Sequence, residues 1–249
     1  MICTWKNSSA CLKIFKSIQH TNPMVNITFN PEGIYIMTMD TSKTSLVNLK
    51  LTQDYFETYT CQEPVTLGVY TETLTNVLQK VKKDTLTWKA SDTILTIVVQ
   101  SSDQKTEFNL RAIDIEEDHL DIPELVHDVS IVMHKDCIKD VMDRILMGKT
   151  DMIVNMQKEQ FELSCESTEF GKIVHKEPIG GERVQLDRFV KPVEIMLSFH
   201  AIKSIFIFSS CGNGPCLLGF SNEMPSCLKV ELGPNNSYLC LYVAPKIID

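Results

Sequence analysis

The chain has 249 residues, 43% of them hydrophobic, with 32 acidic against 24 basic side chains and a net charge of −8. That length suits one large domain or two of about 100–150 residues with real cores. The acidic balance excludes a molecule drawn as a whole to nucleic acid, so any phosphate contact has to come from a local basic surface.

The longest apolar run, near Ile205 to Phe208, falls far short of the roughly 18 residues of a membrane-spanning helix, and no signal-peptide pattern opens the sequence. No membrane partner is expected. Nine cysteines are scattered without CxxC pairs, which reads as buried thiols in a reducing compartment. A closed zinc site needs four convergent ligands, and neither a metal nor a cofactor is expected.

In chain order, Ser8 or Ser9 is placed to cap a first helix in which Cys11, Ile14, Phe15 and Ile18 recur on one side while Lys13 and Lys16 project from the other. NITFNPEGIYIMTMD and SLVNLKL then read as three antiparallel strands, followed by strand and turn to Tyr70. From Thr71 a second helix is predicted by Leu74, Val77, Leu78 and Val81, with Lys80, Lys82 and Lys83 towards its end. TLTWKA, TILTIVVQ and TEFNLRAI are further strands.

The stretch Arg111 to Val126 holds six carboxylates, Pro123 and few apolar residues, so it suits an extended, exposed connector rather than a helix or core strand. Beyond it the series recurs. VSIVM is a strand, and a third helix carries Ile138, Val141, Met142 and Ile145. MIVNMQKEQFELSCES is a hairpin, GKIVHKE a strand and Gly180-Gly181 a loop. A helix around Phe199 to Phe206 turns Ile202, Ile205 and Phe206 inward, and CLLGFS, CLKVEL and SYLCLYVA close the chain as strands. The expected fold class is α+β, as two similar halves: residues 1–112, a connector 113–126 and residues 127–249, each half with two helices on one face of antiparallel sheets.

TMDTSKTSLVNLKL (Thr38 to Leu51), HLDIPE (His119 to Glu124) and LYVAPKI (Leu241 to Ile247) stand in the order and at the spacing of the sliding clamps of the proliferating cell nuclear antigen type, which the chain resembles over nearly its whole length. The resemblance implies a non-enzymatic subunit, three of which close head to tail into a ring around duplex DNA. It implies a processivity factor that tethers a DNA polymerase and other replication and repair enzymes, is opened by a clamp loader, and works in the nucleus or another intracellular site of DNA replication.

The site residues follow from the same resemblance. A socket for partner peptides would be formed by Met39, Thr44, Leu46, Leu120, Ile122, Pro123, Pro225, Tyr242, Ala244, Pro245 and Lys246. Asp121 stands where the family often has glycine. Subunits would join by the edge strands Thr106 to Ala112 and Gly171 to Lys176, through Phe108, Leu110, Ile173 and His175. Lys158 aligns with the family's modified lysine.

The expected DNA-facing residues are Lys13, Lys16, Lys80, Lys83, Lys139, Arg144, Lys149, His200 and Lys203, with Asp140 and Asp143 on the same side of the third helix. Those carboxylates would weaken a hold on phosphate, which sliding tolerates because topology keeps a ring on DNA. Walker, GxSxG, HExxH and calcium-loop patterns are absent, and His127 and His134 have no acidic partner at catalytic spacing. The alternative reading is a subunit of a heterotrimeric checkpoint-type clamp, or a clamp-like scaffold that does not encircle DNA.

Overall fold

The computed structural model describes residues 1–81, 84–116, 125–233 and 235–247. It divides into two compact units: Met1–Leu120 with Leu232–Leu239, and Asp121–Glu231 with Cys240–Asp249. The first half of the chain runs β1 (Ile2–Trp5), α1 (Ser8–Thr21), β2 (Met24–Asn30), β3 (Gly33–Met39), β4 (Ser45–Thr52), β5 (Phe56–Thr60), β6 (Val65–Tyr70), α2 (Thr71–Leu78), β7 (Thr85–Ala90), β8 (Ile94–Gln100) and β9 (Lys105–Arg111). The second half runs β10 (Val129–His134), α3 (Lys135–Ile145), β11 (Met152–Met156), β12 (Gln160–Ser167), β13 (Gly171–Pro178), β14 (Val184–Phe189), β15 (Val193–Leu197), α4 (Phe199–Ser209), β16 (Pro215–Phe220), β17 (Ser226–Gly233) and β18 (Ser237–Val243). One series of strands and helices is therefore used twice.

The sheet neighbours repeat as well. In the first unit the order is β5-β1-β7-β8-β9 beside a run β4-β3-β2-β6; in the second, β14-β10-β16-β17 beside β13-β12-β11-β15. Counterparts hold counterpart places: β5 and β14 are edges, and β1 and β10 lie one strand in from them. Even the irregularity repeats, since the pairing slips by a residue between Thr4 and Trp5 against β5, and between Ser130 and Ile131 against β14.

Burial explains the helices. On α1, Cys11, Ile14, Phe15 and Ile18 are fully buried, each of the larger side chains contributing about 1.5–3 kcal/mol, and Phe15 meets Trp5 and Trp88 in an aromatic core (Trp5–Trp88 centroids 5.0 Å apart). α1 packs on α2, where Thr75 Oγ1 donates to Gln19 Oε1 at 2.8 Å; α3 packs on α4. Seven of the nine cysteines are buried and all are free thiols, with burial pushing Cys3 and Cys216 up to about 12.

Several details differ from expectation. Asn7, not Ser8 or Ser9, caps α1, its Oδ1 accepting from Ala10 N at 3.1 Å. α2 stops at Leu78, so Val81 lies past the helix. On α4 it is Phe208 that is fully buried, while Phe206 is half-buried, because the helix runs to Ser209 and its stripe extends one turn further. The short strands β1, β14 and β15 were not expected: β14 has no alternation, and β1 and β15 alternate over only four and five residues, too short a run to stand out. β1 has four residues and is held by partners some 50 to 90 positions away.

Residues 112–116, where a connector was expected to begin, are bound to the first unit. Ala112 N donates to Thr93 O at 2.8 Å, Ile113 N to Gly68 O at 2.9 Å, and Asn26 Nδ2 to Ile115 O at 3.0 Å. Ile113 and Ile115 are half-buried while Asp114 and Glu116 are exposed. This close approach over β6 requires glycine at 68: an added Cβ would lie 2.3 Å from the Ile113 carbonyl oxygen and 2.9 Å from Ile115 Cγ1. Gly68→Ala is expected to lift the connector from β6, costing about 1–3 kcal/mol and speeding exchange of the Ile113 amide. Urea unfolding followed by tryptophan fluorescence measures the cost, because both tryptophans, Trp5 and Trp88, lie in the first unit.

Candidate functional site

In the first unit β3 buries Ile36 and Thr38 and turns Met37 and Met39 to its other face, the two-residue period of a strand. Leu46 is the direct antiparallel partner of Met39, so it shares that face, although only 9% of it is exposed. A cavity of about 250 Å³ opens beside Met39, with Met24, Met37, Ile115, Asn22 and Lys43 among its walls. Sequence reading missed Met24, Met37 and Ile115 here. The alternation of β3 was a usable signal for Met37.

The turn from β3 to β4 is built on Asp40, which is 8% exposed. Its Oδ1 accepts from the backbone of Thr44 and Ser45, both at 2.7 Å, and its Oδ2 from Ser42 Oγ at 2.5 Å and Thr44 Oγ1 at 3.1 Å. Thr44 thus spends its hydroxyl on the turn while its surface stays exposed. Burial opposes ionisation of Asp40, but the hydrogen bonds from Ser42, Ser45 and Thr44 outweigh it and hold the carboxyl below its usual range. They also hold Lys43 in the left-handed region at φ 56°. From the other side Asn22 Nδ2 donates to Thr38 Oγ1 and to Met39 O, both at 2.8 Å.

In the second unit Pro225 is exposed, and its carbonyl accepts from His127 Nε2 at 2.9 Å. His127 is therefore a buried anchor of that loop. Tyr242, Ala244 and Pro245 are half-buried, and Lys246 is exposed but tied to Asp151 by an ion pair. The socket residues Leu120, Ile122 and Pro123, with Asp121 between them, lie outside the described residues.

Basic residues follow the helices of each unit separately. Lys13 and Lys16 are exposed on α1. Lys80 is exposed in the turn after α2, its amide donating to Val77 O at 3.0 Å, rather than on the helix itself, and Lys83 lies outside the described residues. In the second unit Lys139 and Arg144 are exposed on α3 and His200 and Lys203 on α4, while Lys149 follows the 3-10 turn Leu146–Gly148 at φ 50°. The carboxylates of α3 have cations of their own: Asp143 pairs with Lys139 at 3.2 Å, and Asp140 with Arg183 at 3.4 Å. Arg183 was not singled out from the sequence. It arrives from the loop before β14, and it also pairs with Glu177 of β13 at 3.0 Å.

β9 and β13 each form one end of a sheet. Their ladders inward are regular, over seven pairs from β8 to β9 and eight from β12 to β13. Leu110 is buried, Phe108, Ile173 and His175 are half-buried, and His175 Nε2 lies 3.3 Å from Glu177 Oε2. Phe170 and Val174 are exposed near the β13 edge. Lys158 stands exposed at the tip of the β11–β12 turn. Among the described residues no three His, Cys, Asp or Glu side chains are grouped to hold a metal ion.

Residues 2–120 match the family model of the proliferating cell nuclear antigen N-terminal domain. Along 98% of its length the chain is 28% identical to proliferating cell nuclear antigen of Chaetomium thermophilum, covering 97% of that protein. It is 25% identical to a DNA polymerase sliding clamp of Methanothermobacter thermautotrophicus, over 94% of this chain and 92% of the other. Two solved structures share the fold: the PCNA2-PCNA3 complex of Sulfolobus tokodaii (TM-score 0.87, 18% identity, 99% of each chain) and the proliferating cellular nuclear antigen of Entamoeba histolytica (TM-score 0.86, 22% identity, 99% and 98%).

Replacing the Asp40 carboxylate tests the frame of the Met39 cavity. Asp40→Asn is expected to cost about 1–3 kcal/mol near neutral pH. The carboxylate's native value is depressed, so its contribution is full above the unfolded value of about 3.9 and is lost as pH falls through the lower native one. The gap between wild type and variant in urea unfolding should therefore close as pH is lowered from about 4 towards 2; a gap that stays constant would remove Asp40's charge from the account.

Proposed function

Because the chain is a divergent member of the proliferating cell nuclear antigen family of sliding clamps, a family of non-enzymatic scaffolds, we propose that it is a processivity factor that encircles duplex DNA as a homotrimer. In that role it tethers a DNA polymerase and other replication and repair enzymes by peptide docking, after a clamp loader has opened the ring. The reading treats residues 1–112 and 127–249 as the two clamp domains and 113–126 as their connector, and sets the protein to work where DNA is replicated, in the nucleus of a eukaryotic cell.

The observation that carries the reading is the repeat. β4 corresponds to β13 and β18 to β9. Inside the first unit the end of β4 already meets the start of β18, where Thr52 N donates to Ser237 Oγ at 3.1 Å and the two hydroxyls lie 2.9 Å apart. The counterpart of that joint is β13 beside β9, which one chain leaves unmade. A second copy supplies the missing strand, and such a head-to-tail contact closes into a ring when the rotation permits. The exposed lysines on the helix pair of each unit give the sequence-independent attraction to phosphate that sliding uses.

In the first unit the Met37 and Met39 face with Leu46 supports the tethering role, and in the second, taken by itself, Pro225 and Tyr242 offer further apolar surface. Aliphatic and aromatic plugs of a short helical turn suit such a surface, and methionine adapts to them. Lys158, at its turn tip, is open to modification on the same reading.

Light scattering across a dilution series is expected to give a trimer that Phe108→Asp converts to monomers. A wild-type monomer at every concentration would overturn the homotrimer in favour of a hetero-ring subunit or an unclosed scaffold. For the socket, Tyr242→Ala should weaken binding of a Gln-x-x-aliphatic-x-x-aromatic-aromatic peptide roughly 10-fold or more, the loss of one aromatic anchor; calorimetry with unchanged affinity would sink the assignment.

A further inference from the structure

Lys246 stands in the socket list by resemblance, yet its side chain is already engaged. The end strand β15 leaves backbone groups unpaired, and Lys246 N donates to Met196 O of that strand at 2.7 Å, a single bridge of sheet pairing. Pro245 just before it has no N–H to add to the ladder. Lys246 Nζ then reaches Asp151 Oδ2 at 2.5 Å, and Asp151 Oδ1 accepts the N–H of Phe199, the first residue of α4, at 3.0 Å. One carboxylate therefore joins the entry to β11, the start of α4 and the C-terminal tail. The next residue, Ile247, is 88% exposed.

We propose that Asp151 and Lys246 form a latch that fixes the path of the tail along β15 and ties it to the N-terminus of α4, making both positioning residues for partner docking rather than contact residues. The role in docking rests on the proposed socket; the latch itself does not. The bond from Lys246 holds the Asp151 carboxyl below its usual range against the cost of partial burial, with the Phe199 amide adding to it, so Asp151 stays ionised through the neutral range. The ion pair is half-exposed, with side-chain exposures of 50% for Lys246 and 36% for Asp151. Its effect is accordingly one of geometry, modest in size.

The test compares wild type with Asp151→Asn, Lys246→Met and the double variant. Asparagine keeps an acceptor for Phe199, so α4 retains its first-turn bond and circular dichroism checks the fold. Two readouts are taken: amide exchange at Lys246 in the free protein, and affinity for a Gln-x-x-Leu-x-x-Phe-Phe peptide. The latch predicts a protected Lys246 amide in wild type and equally faster exchange in all three variants. Affinity should fall about 2- to 5-fold in each single variant and no further in the double, with Lys246→Arg restoring both readouts.

Unchanged exchange in the variants would overturn the latch whatever the peptide does. Faster exchange with wild-type affinity would overturn its role in docking. A wild-type protein that protects Lys246, loses the protection in the variants and yet ignores the peptide would uphold the latch and overturn the socket.

Discussion

Every backbone donor and acceptor along the rim of a sheet needs a partner or water, and that requirement organises this molecule. Its rims are managed by different devices. Ile113 bridges to the end strand β6, and Lys246 to the end strand β15. On β5 and β14 the pairing slips, which twists a rim away from further addition, and β14 also carries Asp187 and Arg188 in the open. β9 and β13 have neither a slip nor a cover among the described residues, and each presents half-buried apolar side chains where a neighbouring strand would seal them. On the clamp reading, the difference between blunted and open rims would give the chain a direction for assembly.

Most of the fold was legible because its helices and long strands write their burial into a local period. The stripe Cys11, Ile14, Phe15, Ile18 and the alternation of β2, β3 and β4 are each set by one neighbouring core face. What escaped depends on contacts distant in sequence. β1 is a strand because β5 and β7 flank it, and Ile2 to Trp5 alone cannot announce that. The cap of α1 fell on Asn7 rather than a serine since any of the three side chains fits the local chemistry, and backbone geometry chose.

The site was legible to a different degree. Met39, Leu46 and Tyr242 came from resemblance and lie on β3, β4 and β18. The supporting groups did not come that way. Asp40 under its turn, His127 behind Pro225 and Asp151 beneath the tail are polar residues whose partners are backbone atoms or distant side chains, and no spacing in the sequence encodes those. Arg183 belongs with them. It reaches Asp140 across 43 positions and changes the meaning of an acidic helix.

That last pairing bears on how the protein would travel on DNA. A cation that already has a carboxylate beside it condenses few anions from solution and releases few bound counterions from a duplex. On the clamp reading, α3 then meets DNA as a nearly neutral polar surface. Drag of that helix along the duplex would then depend only weakly on ionic strength. Such a surface glides where unpaired cations would grip.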